Sequence, residues 1–279
     1  MHIERDGTRL FFTTLGSGPD VVLLHPTPVD HRFWLPLANF LADSFRLVLI
    51  DLRGHGQSSS GDGAITMEKL AEDVHAVLCA TGIERAAFVG CSIGGYVLYE
   101  YWRRFPNEMT ALVPICGKPQ ADSAVSREKR QETMRAAQQP NGLGKVFRLM
   151  TETLIGPTAQ KRAPEIRKIA RDMMDAMSLD TFIAVQRCLM ARPDAVPTLE
   201  TIRVPVCAMA GGEDQTSTAA EMQIIPEMIS DAEFHLLPDA GHYAPLEQPE
   251  NTARILRAFL DRIFAARSKE IKSTVDTAH

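Results

Sequence analysis

No stretch of the chain approaches the ~18 uncharged apolar residues that a membrane-crossing helix needs, so no transmembrane segment is expected. Met1 to Asp6 carries charge where a secretion leader needs an apolar run, so no leader is expected there. No Lys/Arg cluster stands out, and the net charge of −5 gives no electrostatic reason to bind nucleic acid. Cysteine is sparse: Cys79, Cys91, Cys116, Cys188 and Cys207 are scattered, without metal-ligand spacing. An odd, sparse set fits reduced thiols in a cytoplasm, and four of the five sit in apolar runs, where packing is their expected role. There is no internal repeat, no low-complexity stretch and no phosphate-type glycine loop. No cofactor and no metal is therefore implied.

What is present is a globular composition, 45% hydrophobic over 279 residues, long enough for one large α/β domain or a core with a subdomain. Asp6-Gly7 between two short strand-like runs signals a hairpin. Asp20 to His25 and Arg46 to Asp51 are short apolar runs that read as buried strands, with a helix expected between them over Phe33–Ala42. Thr66 can cap a helix running to about Ala80, and Gly82 stops it. Strands over Ala86–Gly90 and Thr110–Cys116 flank a helix over Gly94–Phe105. This alternation predicts a mostly parallel sheet covered on both faces.

The rhythm breaks after residue 117. Residues 118–200 have helical stretches and no convincing strand, and read as a helical cap inserted into a core of residues 1–117 and 201–267. Alternation resumes with a strand over Val204–Met209, a helix near Ala219–Met228, a strand over Ala232–Leu237 and an amphipathic helix over Glu250–Ala266. A polar, flexible tail is expected over 268–279.

The sharpest feature is Gly90-Cys91-Ser92-Ile93-Gly94, set between a predicted strand and a predicted helix. The turn is tight, and side chains at the two glycine positions would strike the adjoining strand and helix. The Ser92 hydroxyl is thereby lifted clear of the sheet as a nucleophile. The Ile93 N–H lies at the helix N-terminus, where partial positive charge favours an oxyanion. Cys91 is the rival nucleophile, but its frame would put Val89 and Ile93 where glycines are needed, so it is assigned to packing.

A serine needs a base, and the base an orienting acid. His242, on Asp239-Ala240-Gly241-His242, follows the last predicted strand and should stand at the same sheet edge as Ser92. His235 lies inside that strand and His75 on a helix, which suits structural and surface roles. Asp214, after the preceding strand, is the first choice of acid, with Glu213 as its rival; no acid follows the strand ending at Cys116. A second oxyanion donor should come from His25-Pro26-Thr27-Pro28. Prolines cannot donate, so Thr27 supplies the N–H there. Trp34, Tyr96, Met150, Phe182, Met190 and Tyr243 are candidate substrate-contacting walls, though such residues are more often plain core than substrate contacts.

These residues resemble the α/β-hydrolase superfamily, and within it the small capped hydrolases that include 3-oxoadipate enol-lactonases, carboxylesterases and cofactor-free perhydrolases. The match is carried by His25 to Trp34, Asp51 to Ser58, Gly90 to Gly95 and Asp239 to Glu250, with Met190 to Asp194 similar to the cap exit of the enol-lactonase branch. The resemblance implies an α/β-hydrolase fold: a mostly parallel eight-stranded sheet with helices on both faces and a helical cap. It also implies the order Ser92, Asp214, His242, with Asp51 to Gly56 as a structural turn bracing the oxyanion loop. The chain departs from the family's usual His-Gly at His25-Pro26 and from its usual His or Asn before the serine at Cys91. A serine at this turn, where epoxide hydrolases and haloalkane dehalogenases carry aspartate, points to acyl chemistry.

Three functions follow. The first is hydrolysis of a small carboxylic ester or lactone. The second is carbon–carbon bond hydrolysis of a ring-fission diketone, with Arg187 and Arg192 holding a substrate carboxylate. The third is a non-catalytic ligand receptor on the same fold, against which the presence of all three triad members counts. The expected partner is a small molecule, with no nucleic acid and no membrane; a homodimer is left open.

Overall fold

The computed structural model describes the backbone of residues 1–276 and the side chains of residues 1–266. Its strands are β1 (His2–Arg5), β2 (Thr8–Leu15), β3 (Asp20–Leu24), β4 (Arg46–Ile50), β5 (Ala86–Cys91), β6 (Met109–Ile115), β7 (Cys207–Gly211) and β8 (Glu233–Leu237). They form one eight-stranded sheet in the order β1-β2-β4-β3-β5-β6-β7-β8. β2 runs antiparallel to both β1 and β4, and every other pair is parallel. The chain winds outward from β3 to β4, then crosses back to β5 on β3's other side. Strand order therefore reverses between β3 and β5, and open α/β sheets place their sites beyond the carboxyl ends of the strands at such a point.

The helices are α1 (Leu35–Ala38), α2 (Met67–Thr81), α3 (Ile93–Arg104), α4 (Ala124–Ala137), α5 (Gly142–Leu154), α6 (Pro157–Arg162), α7 (Ile166–Met174), α8 (Leu179–Ala191), α9 (Val196–Leu199), α10 (Ala219–Met222), α11 (Ile224–Met228), α12 (Ala244–Glu247) and α13 (Pro249–Asp276). Strand alternation sorts the core onto two faces. Val21, Leu23, Ala87, Val89 and Cys91 face a cluster with α1, α12 and α13. Val22, Leu24 and Phe88 face one with α2 and α3. Six helices, α4–α9, lie between β6 and β7, with no strand among the described residues there.

Local chemistry explains the boundaries. Thr66 accepts from the Lys69 N–H at the start of α2, and Gly82 ends that helix at φ +67°. The helix expected over Phe33–Ala42 is only a 3-10 turn, His31–Trp34, followed by the single turn α1, because the chain must descend to β4 at Arg46. β7 starts at Cys207 rather than Val204. Pro205 has no N–H for the ladder, and Val206 makes only an isolated bridge to Leu112. The helix expected near Ala219–Met228 is split into α10 and α11, since Pro226 would collide with the Met222 carbonyl of a continuous helix. α13 continues as helical backbone to Asp276, where a flexible tail was expected from 268, and residues 277–279 of that tail lie outside the described residues.

One glycine of the serine turn makes a measurable demand. A Cβ on Gly94 would stand 2.2 Å from the Leu24 carbonyl oxygen, which is backbone and cannot give way. Gly94→Ala should lower unfolding free energy in urea by about 1–3 kcal/mol or more. Gly144→Ala, in α5 with its nearest neighbour an ordinary 3.5 Å away, should be neutral or stabilising by up to ~1 kcal/mol. Equal effects of the two would refute the steric account.

Candidate active site

Ser92 sits between β5 and α3 at φ +53°, ψ −115°, a conformation that side-chain-bearing residues rarely adopt. Such a residue costs about 1–3 kcal/mol and persists only where its surroundings dictate it. Here they do. A Cβ on Gly90 would lie 2.4 Å from the Gly94 carbonyl, so α3 packs directly on the end of β5. The Ser92 N–H donates to the Ile115 carbonyl at 3.0 Å, and its carbonyl accepts from Tyr96. Its hydroxyl has no hydrogen-bond partner among the described residues. Neither has the Ile93 N–H at the start of α3.

Beyond β8, His242 Nδ1 lies 2.7 Å from Asp214 Oδ2, with both side chains almost fully buried. The other Asp214 oxygen accepts from the Thr216 N–H at 2.7 Å and the Ser217 N–H at 3.1 Å. Burial opposes ionisation of Asp214. The attraction and hydrogen bond of His242, with the two amides, outweigh it and hold the carboxyl below its ordinary value. An ionised Asp214 accepts the Nδ1 proton, which leaves the Nε2 lone pair free. Glu213 points elsewhere, accepting from the Thr158 N–H at 3.0 Å and hydroxyl at 2.5 Å. The Cys91 thiol donates to the His242 carbonyl at 3.5 Å, so the residue beside Ser92 touches the histidine loop.

Thr27 lies on the loop after β3, between Pro26 and Pro28. His55 Nδ1 donates to the Arg53 carbonyl at 3.1 Å, and Nε2 therefore accepts the Thr27 hydroxyl proton at 2.9 Å. Burial, reinforced by His25, pushes the His55 pKa down to about 3, so the ring is neutral as this geometry requires. His25 is matched to the same turn, donating to the Pro26 carbonyl at 2.8 Å and accepting the Leu52 N–H at 3.0 Å. Asp51 accepts the His31 and Gln57 N–H groups, and Arg53 pairs with Asp73 through two hydrogen bonds. Asp51 to Gly56 thus braces the loop. The Thr27 carbonyl accepts the Tyr243 hydroxyl at 3.2 Å. With hydroxyl and carbonyl engaged, the Thr27 N–H is the group left free.

The candidate wall residues do not gather in one place. Trp34 and Tyr243 meet Phe33 edge-on at 5.0 and 5.5 Å, and Phe182 meets Phe147 at 5.5 Å. These belong to the cluster of Cys91, with half-buried Met150 against it. Tyr96 lies in the opposite cluster, its ring 4.3 Å beneath the Arg192 guanidinium. Met190 is half-buried and belongs to neither cluster. Arg192 is buried and pairs with Asp122, so it is not free to hold a substrate carboxylate. Arg187 is exposed, on a cleft of about 660 Å³ whose lining includes Ile65, Met67 and Cys188 but neither Ser92 nor His242.

Cys116, Asp214 and His242 offer ligand atoms within 4.8 Å of one another. Burial with the Asp214 charge raises the Cys116 thiol far above its ordinary range, and the His242–Asp214 hydrogen bond accounts for two of the three groups lying together. Sequence reading does not single out Glu247, whose carboxylate accepts the N–H groups of Gly241 and Tyr243 on either side of His242. Its one sequence signal is its place within Asp239 to Glu250.

A family model described as "Alpha/beta hydrolase family" matches residues 21–255. A 3-oxoadipate enol-lactonase of Acinetobacter baylyi is 25% identical over 256 residues, covering 91% of this chain and 93% of that protein. A thermophilic esterase from Thermogutta terrifontis superposes with a TM-score of 0.89 at 27% identity, covering 94% of this chain and 99% of its own. Est816, described as an N-acyl homoserine lactone degrading enzyme, gives a TM-score of 0.79 at 26% identity, covering 93% and 100%.

The thiols supply a check on Cys91. Four cysteines are buried and only Cys79 is exposed. Burial, then the charges of Asp214 and Glu247, push the Cys91 thiol far up. An aromatic disulfide reagent at pH 8 should titrate one thiol quickly in the native protein and all five in denaturant. Rapid native labelling of Cys91 would reopen its claim as nucleophile.

Proposed function

The chain belongs to the alpha/beta hydrolase family, and we propose that it hydrolyses a small carboxylic ester or lactone through an acyl-enzyme on Ser92. His242 Nε2 takes the Ser92 proton as the oxygen attacks the substrate carbonyl. The Thr27 and Ile93 N–H groups donate hydrogen bonds to the developing oxyanion. His242 then gives its proton to the leaving alkoxide, and the acyl group stays on Ser92. A water, deprotonated by His242, attacks the acyl-enzyme, and His242 returns that proton to the Ser92 oxygen as the acid leaves. Asp214 holds the imidazole in its reactive tautomer and stabilises its cationic form. The observation that carries this reading is the buried His242–Asp214 bond on a loop that Cys91, the neighbour of the strained Ser92, touches through its thiol.

The enol-lactonase, esterase and homoserine-lactone relatives favour ester or lactone substrates. The diketone reading loses one of its two cationic anchors, because Arg192 is already paired with Asp122. Residues 118–200 act in this reading as the cap over the Ser92 edge. No helix among the described residues is long and apolar enough to cross a membrane. The unpaired cysteines support the cytoplasmic setting included in this proposal.

Ser92→Ala should lower kcat for p-nitrophenyl acetate by about 10⁶-fold. Asp214→Asn should lower it by about 10⁴-fold through the wrong tautomer. Hydrolysis by Ser92→Ala at the wild-type rate sinks the proposal. A panel of short-chain, aryl and lactone esters, with a diketone alongside, ranks the substrate classes.

The pH response follows from Asp214. Its carboxyl is depressed in the folded chain, so the stability it contributes is present above the ordinary value of 3.8 and is lost as pH falls through the lower folded value. The difference in unfolding free energy between wild type and Asp214→Asn should therefore hold from pH 7 to about 5 and close only below pH ~4. A difference that vanishes between pH 7 and 5 contradicts this.

A further inference from the structure

The loop carrying His242 is tied to the end of α5 and the start of α6. The His242 N–H donates to the Leu154 carbonyl at 2.8 Å. One Glu247 oxygen, Oε2, accepts both the Gly241 N–H at 2.7 Å and the Gly156 N–H at 2.9 Å. The other, Oε1, accepts the Tyr243 N–H at 3.0 Å. Two residues beyond Gly156, Thr158 binds Glu213, the neighbour of Asp214. The backbones meet so closely that a Cβ on Gly156 would lie 2.7 Å from the Gly241 nitrogen and 2.3 Å from Glu213 Oε2. A Cβ on Gly241 would lie 2.4 Å from the Gly156 nitrogen.

We propose that Glu247 is a positioning residue that clamps the peptides flanking His242 and docks the strap Leu154–Thr158 onto them, so that base and cap are placed as one unit. This rests on the reading of His242 as the base. Three amides on one carboxylate leave the His242 backbone little freedom. The clamp also reaches the oxyanion loop, because Tyr243 gives its N–H to Glu247 and its hydroxyl to the Thr27 carbonyl. A glutamine cannot replace this arrangement. Its carbonyl oxygen can serve either the Gly241–Gly156 pair or Tyr243, and its NH₂ then meets an N–H donor at the other position. The ionised clamp is held at some expense: burial raises the Glu247 carboxyl to about 6 despite its three donors. That pattern suits a residue kept for geometry rather than for stability.

The test compares purified full-length wild type, Glu247→Gln, Gly156→Ala and the exposed control Glu250→Gln at pH 8. Three readouts are used: p-nitrophenyl acetate kinetics, fluorophosphonate labelling of Ser92, and hydrogen exchange over 152–158 and 239–246. Glu247→Gln should lower kcat by about 10–10²-fold, the scale of an ångström's misplacement, with KM within about twofold. Exchange should quicken in both segments together, and Glu250→Gln should match wild type. Gly156→Ala, which attacks the clamp from the strap side only, should reproduce the same paired loss and serves if Glu247→Gln does not fold. Wild-type kcat and protection in both variants overturn the proposal. So does a fall in kcat with unchanged exchange, which would leave the Glu247 charge as its only role. If wild type neither labels nor hydrolyses esters, the catalytic reading fails, and the exchange data still decide whether the clamp exists.

Discussion

A carboxylate and an imidazole held 2.7 Å apart and away from water constrain everything around them. Removing one partner of such a buried pair leaves an uncompensated group and typically costs about 3–5 kcal/mol, so the surroundings must keep both in place. Asp214 is fixed by the amides of Thr216 and Ser217, donors that its own turn presents. Around His242 the local help comes from Glu247, five residues on, which accepts the N–H groups of Gly241 and Tyr243. The His242 loop is also tied to residues 154–156, through the Leu154 carbonyl and through the Gly156 N–H on the Glu247 oxygen that binds Gly241. Asp214 is thus positioned by neighbours in sequence, and His242 by one near neighbour together with contacts far along the chain.

The Thr27 loop follows a similar logic with uncharged groups. His25 and His55 are buried and serve as neutral hinges, each donating from Nδ1 to a nearby carbonyl and accepting at Nε2. Full burial lowers the affinity of both rings for a second proton. Their task is to hold the chain between Pro26 and Pro28 while leaving one N–H unspent. The stiffness that two prolines impose on this loop is matched by a brace from the turn after β4.

Much of this was legible in the residues. The glycine frame around Ser92, the strand–helix alternation and the loops after β7 and β8 are local patterns with local causes, and the sheet follows them. The misses are local patterns overridden from outside. The first helix is cut to a single turn by the descent to β4, and Pro205 delays β7. Tyr96 stands four residues from Ser92 yet turns to the opposite core face beneath Arg192, whose side chain the sequence offered as a substrate anchor.

The sequence by itself determined which serine can be lifted from the sheet, because a tight turn with glycine two residues to either side is a short-range steric requirement. It also determined the order of Ser92, Asp214 and His242 along the chain. The tertiary structure alone decided that Asp214 rather than Glu213 meets His242, because adjacent side chains point to different neighbours and only the folded loops say which neighbour is where. It alone revealed Glu247, whose role depends on Gly156, 91 residues away in the chain, approaching Gly241 to backbone contact. Hydrogen bonds across such separations leave no periodicity to read, and they exist only where the segment Leu154–Thr158 packs against the His242 loop.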